Sequence, residues 1–163
     1  MNWYKIAQPL DWDTIHSNFD YHIKQILDGK KPAGHFDVQF NNEINYSNYP
    51  KVFDFIRYIK KNRPDLDVYD TEATDRDGDK VRAYVIGQPQ ACLNILEGIK
   101  RLKYQGREDE QAHRSFGEGV GYTKEEIDTF LQGIRNDDQQ RELEKLWRKD
   151  KKLVEPKLVV KKI

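Results

Sequence analysis

The chain has 163 residues, 28 basic and 28 acidic for a net charge of +0, and a single cysteine. That length suits one domain with its own core, or one domain with a helical appendage. The charge balance excludes a globally basic nucleic-acid binder, and one cysteine excludes an intramolecular disulfide, a zinc ribbon or a redox pair.

Charged residues make up 34% of the chain and aromatic residues 12%, a composition of a heavily charged but core-forming protein. No apolar run reaches the ~18 residues of a membrane span. Met1 to Gln8 lacks the apolar stretch of a secretory signal, so a cytoplasmic, reducing setting is expected.

The first predicted element is a helix over residues 11–28. Trp12, Ile15, Phe19, Ile23, Ile26 and Leu27 recur at spacings of three and four, Asp11 is placed to cap it, and Gly29 stops it. The period then changes to two. Phe36, Val38 and Phe40 alternate with polar residues, predicting a half-buried strand over 35–40. Asn41 to Asn48 reads as a loop, because Asn and Ser satisfy turn backbones locally. Pro50 opens a helix over 50–62, with Val52, Phe53, Ile56 and Ile59 as its stripe.

A hairpin over 66–86 follows, its turn marked by Asp77-Gly78 and its second arm presenting Val81, Ala83 and Val85 on one face. Pro89 opens a helix over 89–104 with Cys92, Ile95, Leu96, Ile99 and Leu102 inward. This order predicts an α+β fold: a small antiparallel or mixed sheet in β-α-β-β-α order. Helices would lie on one face, like an incomplete ferredoxin-like sandwich.

Residues 1–105 would form this domain, 106–152 a helical extension packed on it, and 153–163 a basic tail. Within the extension, Thr123 and Glu126 have capping-box spacing before Ile127, Phe130, Leu131 and Ile134. Leu143, Leu146 and Trp147 are the expected buried residues of a last helix from about Asp137 to Lys149. The end of the chain is either a final edge strand or disordered. There is no internal repeat.

Four groups of residues bear on chemistry. The hairpin acids Asp70, Glu72, Asp75, Asp77 and Asp79, with Asp65 and Asp67 nearby, supply enough oxygens for a divalent cation. An EF-hand frame centred on Gly78 puts Ala73 and Tyr84 at its anchoring positions and fails. A nuclease pattern starting at Pro64-Asp65 fails because Gly78 stands two before Lys80. The competing reading is a charge-guarded sheet edge. On the first helix, Asp13, His16 and Asp20 share one flank and form a second possible donor set, or simply a polar flank.

His113, Arg114, Gly117, Gly119 and Gly121 precede a helix and suggest either an anion cradle or a tight link between helices. The chain end carries Arg148, Lys149, Lys151, Lys152, Lys157, Lys161 and Lys162 against Asp150 and Glu155. Its net charge is therefore +5, leaving −5 for the rest, and it is a candidate contact for nucleic acid or an acidic partner. Cys92, on an apolar stripe, reads as a structural thiol.

Met1 to Gln8 is similar to the openings of uncharacterised proteins of bacterial viruses and environmental genomes. His113 to Phe130 resembles a helical segment of uncharacterised prokaryotic proteins, with Thr123 where that pattern has proline after Gly-Tyr. Together these stretches cover under a fifth of the chain, and the resemblance implies no activity. The expectation is therefore a binding protein with a protein partner, no membrane association and no predicted cofactor. The alternatives are a metal-dependent hydrolase or nuclease using the hairpin carboxylates, and a weak nucleic-acid binder led by the tail.

Overall fold

The computed structural model describes residues 19–46, 48–106, 109–149 and 152–163, without the Arg148 side chain. In chain order these form α1 (Phe19–Leu27), β1 (Ala33–Phe40), β2 (Glu43–Ile44), α2 (Tyr49–Asn62), β3 (Asp67–Thr74) and β4 (Lys80–Gly87). There follow α3 (Pro89–Gln105), α4 (Glu110–Val120), α5 (Lys124–Asn136), α6 (Asp138–Lys149) and β5 (Lys157–Lys162). Of the first predicted helix only the part from Phe19 falls within the described residues; Asp13 and His16 lie outside them.

The fold is α+β, and its sheet is antiparallel throughout, in the order β2-β1-β4-β3-β5. β4 lies between β1 and β3, the split arrangement that the β-α-β-β order anticipates. Part of the expected Asn-rich loop is instead a tight hairpin. Asn41, at φ 52°, helps turn the chain so that Gln39 and Phe40 pair with Ile44 and Glu43. The C-terminal segment is an edge strand, with Thr74 to Tyr69 facing Lys157 to Lys162.

Helices cover both faces of the sheet rather than one. The reason lies in β4, where Ala83 to Ile86 are all buried. Tyr84 and Ile86 point to one side, Ala83 and Val85 to the other, and both sides need apolar cover. On the first face Phe36, Val38, Val68, Tyr84 and Ile86 pack against α1 through Phe19, Ile23, Ile26 and Leu27. They also meet α2 through Val52, Phe55, Ile56 and Ile59. Phe36 sits edge-on to Phe19 at 4.9 Å and to Phe55 at 6.2 Å.

On the second face Ala33, Ala73 and Val85 meet α3 through Ala91, Cys92, Ile95 and Ile99, and Val120 of α4 joins them. The buried Thr71 there donates its hydroxyl to the Ala83 carbonyl at 2.9 Å. A buried hydroxyl left unpaired would cost about 1–3 kcal/mol.

α3 and α4 form an antiparallel pair held close by two glycines. A Cβ on Gly98 would fall 2.8 Å from the Ala112 carbonyl oxygen and 2.7 Å from Phe116 Cβ. One on Gly119 would fall 2.5 Å from Ile95 Cγ1 and 2.7 Å from the Ala91 carbonyl oxygen. The glycine-bearing segment is therefore mostly helix interior, not a link. Gly117 and Gly119 lie within α4, and only Gly121, at φ 93°, makes the left-handed C-cap that ends it. Thr123 then accepts from the Glu126 amide at 3.1 Å, while Glu126 accepts from the Thr123 amide at 3.2 Å, the predicted capping box.

The last helix departs from expectation. Leu143, Leu146 and Trp147 are 57%, 65% and 54% exposed, and Phe130 of α5 is 56% exposed, while Ile127 and Leu131 are buried. Only Asp137 separates α5 from α6, and Arg141 donates to the Ile134 and Arg135 carbonyls at the joint. α6 thus continues from the end of α5, and its apolar stripe is left largely uncovered by the described residues.

Candidate functional site

Two hollows flank α4. The first is a cavity of about 510 Å³ at the hairpin end of the second sheet face. Its floor is Thr71, Ala73 and Val81. Ile99, Leu102 and Lys103 of α3, His113 and Phe116 of α4, and Glu144 and Trp147 of α6 form the walls. The β3–β4 turn, carrying Asp75, Arg76, Asp77 and Asp79, forms its mouth. The space exists because the strands offer the small side chains Thr71, Ala73 and Val81 here.

His35 also lines the cavity. It stands opposite Val85 on β1, so alternation directs it away from the Phe36 face. Its ring is edge-on to Phe116 at 5.8 Å and makes no hydrogen bond among the described residues. Burial pushes its pKa down to about 4, with Asp37 opposing and Lys103 adding to the shift, so it is neutral at pH 7.

The mouth is ordered by Asp75. Its Oδ1 accepts the amides of Asp77 at 2.9 Å and Asp79 at 3.0 Å, and its Oδ2 is 4.0 Å from Lys103 Nζ. Arg76 donates to the Tyr104 carbonyl at 2.5 Å.

The hairpin acids are thus divided between a strand face and the turn. Asp70 and Glu72 belong to the opposite face, where Asp70 pairs with Arg82 at 3.0 Å and Glu72 is exposed. Asp75, Asp77 and Asp79 line the cavity. Asp20 is paired with Lys51 at 3.2 Å. Among the described residues no three His, Cys, Asp or Glu side chains are grouped as a metal site would need.

The second hollow is a groove of about 720 Å³ between α4 and α5, walled by Phe116, Gly117, Tyr122, Ile127 and Phe130. Its charged lining residues are Glu125 and Glu126. His113 sits edge-on to Phe130 at 5.2 Å, so it and Phe116 are shared by groove and cavity. Arg114 pairs with Asp128 at 2.9 Å. In Gly117 the missing Cβ makes room for Ile127, whose Cγ1 would lie 2.9 Å away, a packing role within the helix pair.

The basic tail partly closes on the protein's own acids. Lys162 lies 3.4 Å from Asp67 and over the Tyr69 ring, and Lys161 faces Asp70 across the β3–β5 ladder. Lys157 is on the same strand, Lys149 ends α6, Lys152 precedes β5, and Lys151 lies outside the described residues. Cys92 is buried, and burial lifts its thiol to about 12, fitting the structural role expected of it.

Sequence reasoning missed His35, Lys103, Phe116 and Tyr122 as site residues and misplaced Trp147 and Phe130. One usable signal was present: the parity of His35, opposite to Phe36 and Val38, already puts it on the second face. No described helix is long and apolar enough to cross a membrane. No family model matches the chain, and comparison with curated proteins and with solved structures likewise finds no match.

Proposed function

We propose that this protein works by binding another protein, through the α4–α5 groove and the exposed stripe of α6. The observation that carries this reading is Phe130, 56% exposed at the edge of an apolar groove beside Tyr122, which is 44% exposed. Contiguous apolar surface of this kind marks interaction sites on soluble proteins. A groove between two helices suits an amphipathic helix laid along it, with anchors three and four residues apart. Glu125 and Glu126 at the groove favour basic residues flanking the partner's apolar face.

Metal-assisted hydrolysis draws less support, because Asp70 and Glu72 lie on a strand face away from the turn that carries Asp75, Asp77 and Asp79, and no three such side chains are grouped among the described residues. Nucleic-acid binding by the tail draws less as well, because Lys161 and Lys162 face Asp70 and Asp67. The test is affinity capture with three baits: the natural chain, Phe130→Glu, and Phe40→Glu as a control on another exposed aromatic (49% exposed). A partner held by the natural chain and the control but lost from Phe130→Glu is the expected result. A partner retained by Phe130→Glu, or no partner at all, refutes the reading.

A further inference from the structure

The cavity on the other side of α4 has a different chemistry from the groove. Its interior is apolar and partly aromatic, with Ile99 and Phe116 inside and Trp147 at the wall. Its charged lining is four carboxylates (Asp75, Asp77, Asp79, Glu144) against two cations (Arg76, Lys103). The cations have work already: Arg76 binds the Tyr104 carbonyl and Lys103 faces Asp75. Asp79, half-buried at the mouth, makes no side-chain hydrogen bond or ion pair among the described residues.

His35 adds a polar group to the cavity wall. Its ring is half-buried and makes no hydrogen bond among the described residues. Such a group is satisfied by water or by a ligand. Neutral, it adds no repulsion toward a cation and can accept one of its N–H bonds. Volumes of about 300–1,000 Å³ with apolar walls and a few converging polar groups are typical of small-molecule sites.

We propose that this cavity binds a small organic cation: an amine whose apolar or aromatic body lies among Ile99, Phe116 and Trp147 and whose ammonium group is held at the carboxylate mouth by Asp79. The aromatic rings contribute to holding the cation as well as its body. Phe116 is shared with the groove and Trp147 with the exposed stripe of α6, but Asp79, which reads out the cation, belongs to neither, so either reading can fail without the other.

The experiment is an NMR titration of the natural chain with three probes of one shape: 4-phenylbutylamine, 4-phenylbutan-1-ol and 4-phenylbutyrate. The Trp147 indole signal is assigned from Trp147→Phe. The amine is expected to saturate, to bind at least about tenfold more tightly than the carboxylate, and to shift the Trp147 signal. In Asp79→Asn the amine should weaken about fivefold or more while the alcohol is unchanged. The proposal is overturned if the amine does not saturate by about 10 mM, if its preference over the carboxylate is below that tenfold, or if Asp79→Asn leaves its affinity intact.

Discussion

The two faces of the sheet are built from the same strands but solve burial differently. The face toward α1 and α2 is filled by large side chains, with Phe36, Phe55, Tyr84 and several isoleucines in one cluster. The face toward α3 and α4 uses Ala33, Ala73, Ala83 and Val85, and its helices come close through glycines. The first face is a filled core, whereas the second is close-packed at the Gly87 end and hollow at the turn end. Side-chain size on alternate strand positions thus separates the stabilising half of the molecule from the half with room for a ligand.

The comparison breaks most sharply on size substitutions. Phe55→Ala on the filled face should cost about 3–5 kcal/mol in urea unfolding, because it opens a cavity among residues already at native density. Ala73→Val, growing into the hollow, should cost less than about 1 kcal/mol. Equal costs would mean that the two faces are equally packed.

A second contrast is titratable. His35 keeps its proton off until about pH 4 in the folded chain, whereas an unfolded histidine takes one near pH 6.5. The unfolded state therefore binds more protons between these values, and stability falls as pH drops from about 6.5 to 4. The loss attributable to His35 reaches roughly 3 kcal/mol at the acid end. Its signature is the difference between natural chain and His35→Gln, which should be flat above that window and should shrink within it. A constant difference across pH 4 to 7 would remove His35 from the account.

A third contrast lies at the helix pair. Gly119→Ala pushes a methyl into Ile95 and the Ala91 carbonyl and should cost about 1–3 kcal/mol in thermal or urea unfolding. Gly133→Ala, on exposed α5 with nothing within 4 Å, should instead stabilise by up to about 1 kcal/mol. If both substitutions shift stability alike, helix propensity rather than close approach governs these glycines.

These cases also show what was legible in the chain. The stripe of α3, the Asp77-Gly78 turn and the Thr123–Glu126 box are short-range signals, and each appears where the residues place it. The two-sided cover of the sheet was legible in principle in Ala83 to Ile86, four apolar residues in succession, but half of that run reads as simple alternation. Gly117 and Gly119 mislead because glycine disfavours a helix locally; here contacts with Ile127 and Ile95 outweigh that preference. The exposure of Leu143, Leu146 and Trp147 could not be read from their helical spacing, which shows that an apolar stripe exists and not what covers it. The cavity joins His35, Asp79, Ile99, Phe116 and Trp147, residues that only the folded chain brings together.

The C-terminal strand has a bearing on how the molecule assembles. β5 pairs with β3 across more than ninety residues of intervening chain in the Tyr69–Lys162 pair, and closing a loop of that length costs about 4 kcal/mol of chain entropy. Against this it offers one edge of ladder with Val159 and Val160 still 49% and 40% exposed. β5 closes the β3 edge of the sheet over six paired positions, from Tyr69–Lys162 to Thr74–Lys157. Its release would bare the β3 edge with Asp67 and Asp70. The strand is a clasp made by its backbone ladder, to which the Lys162–Asp67 pair adds one ionic contact.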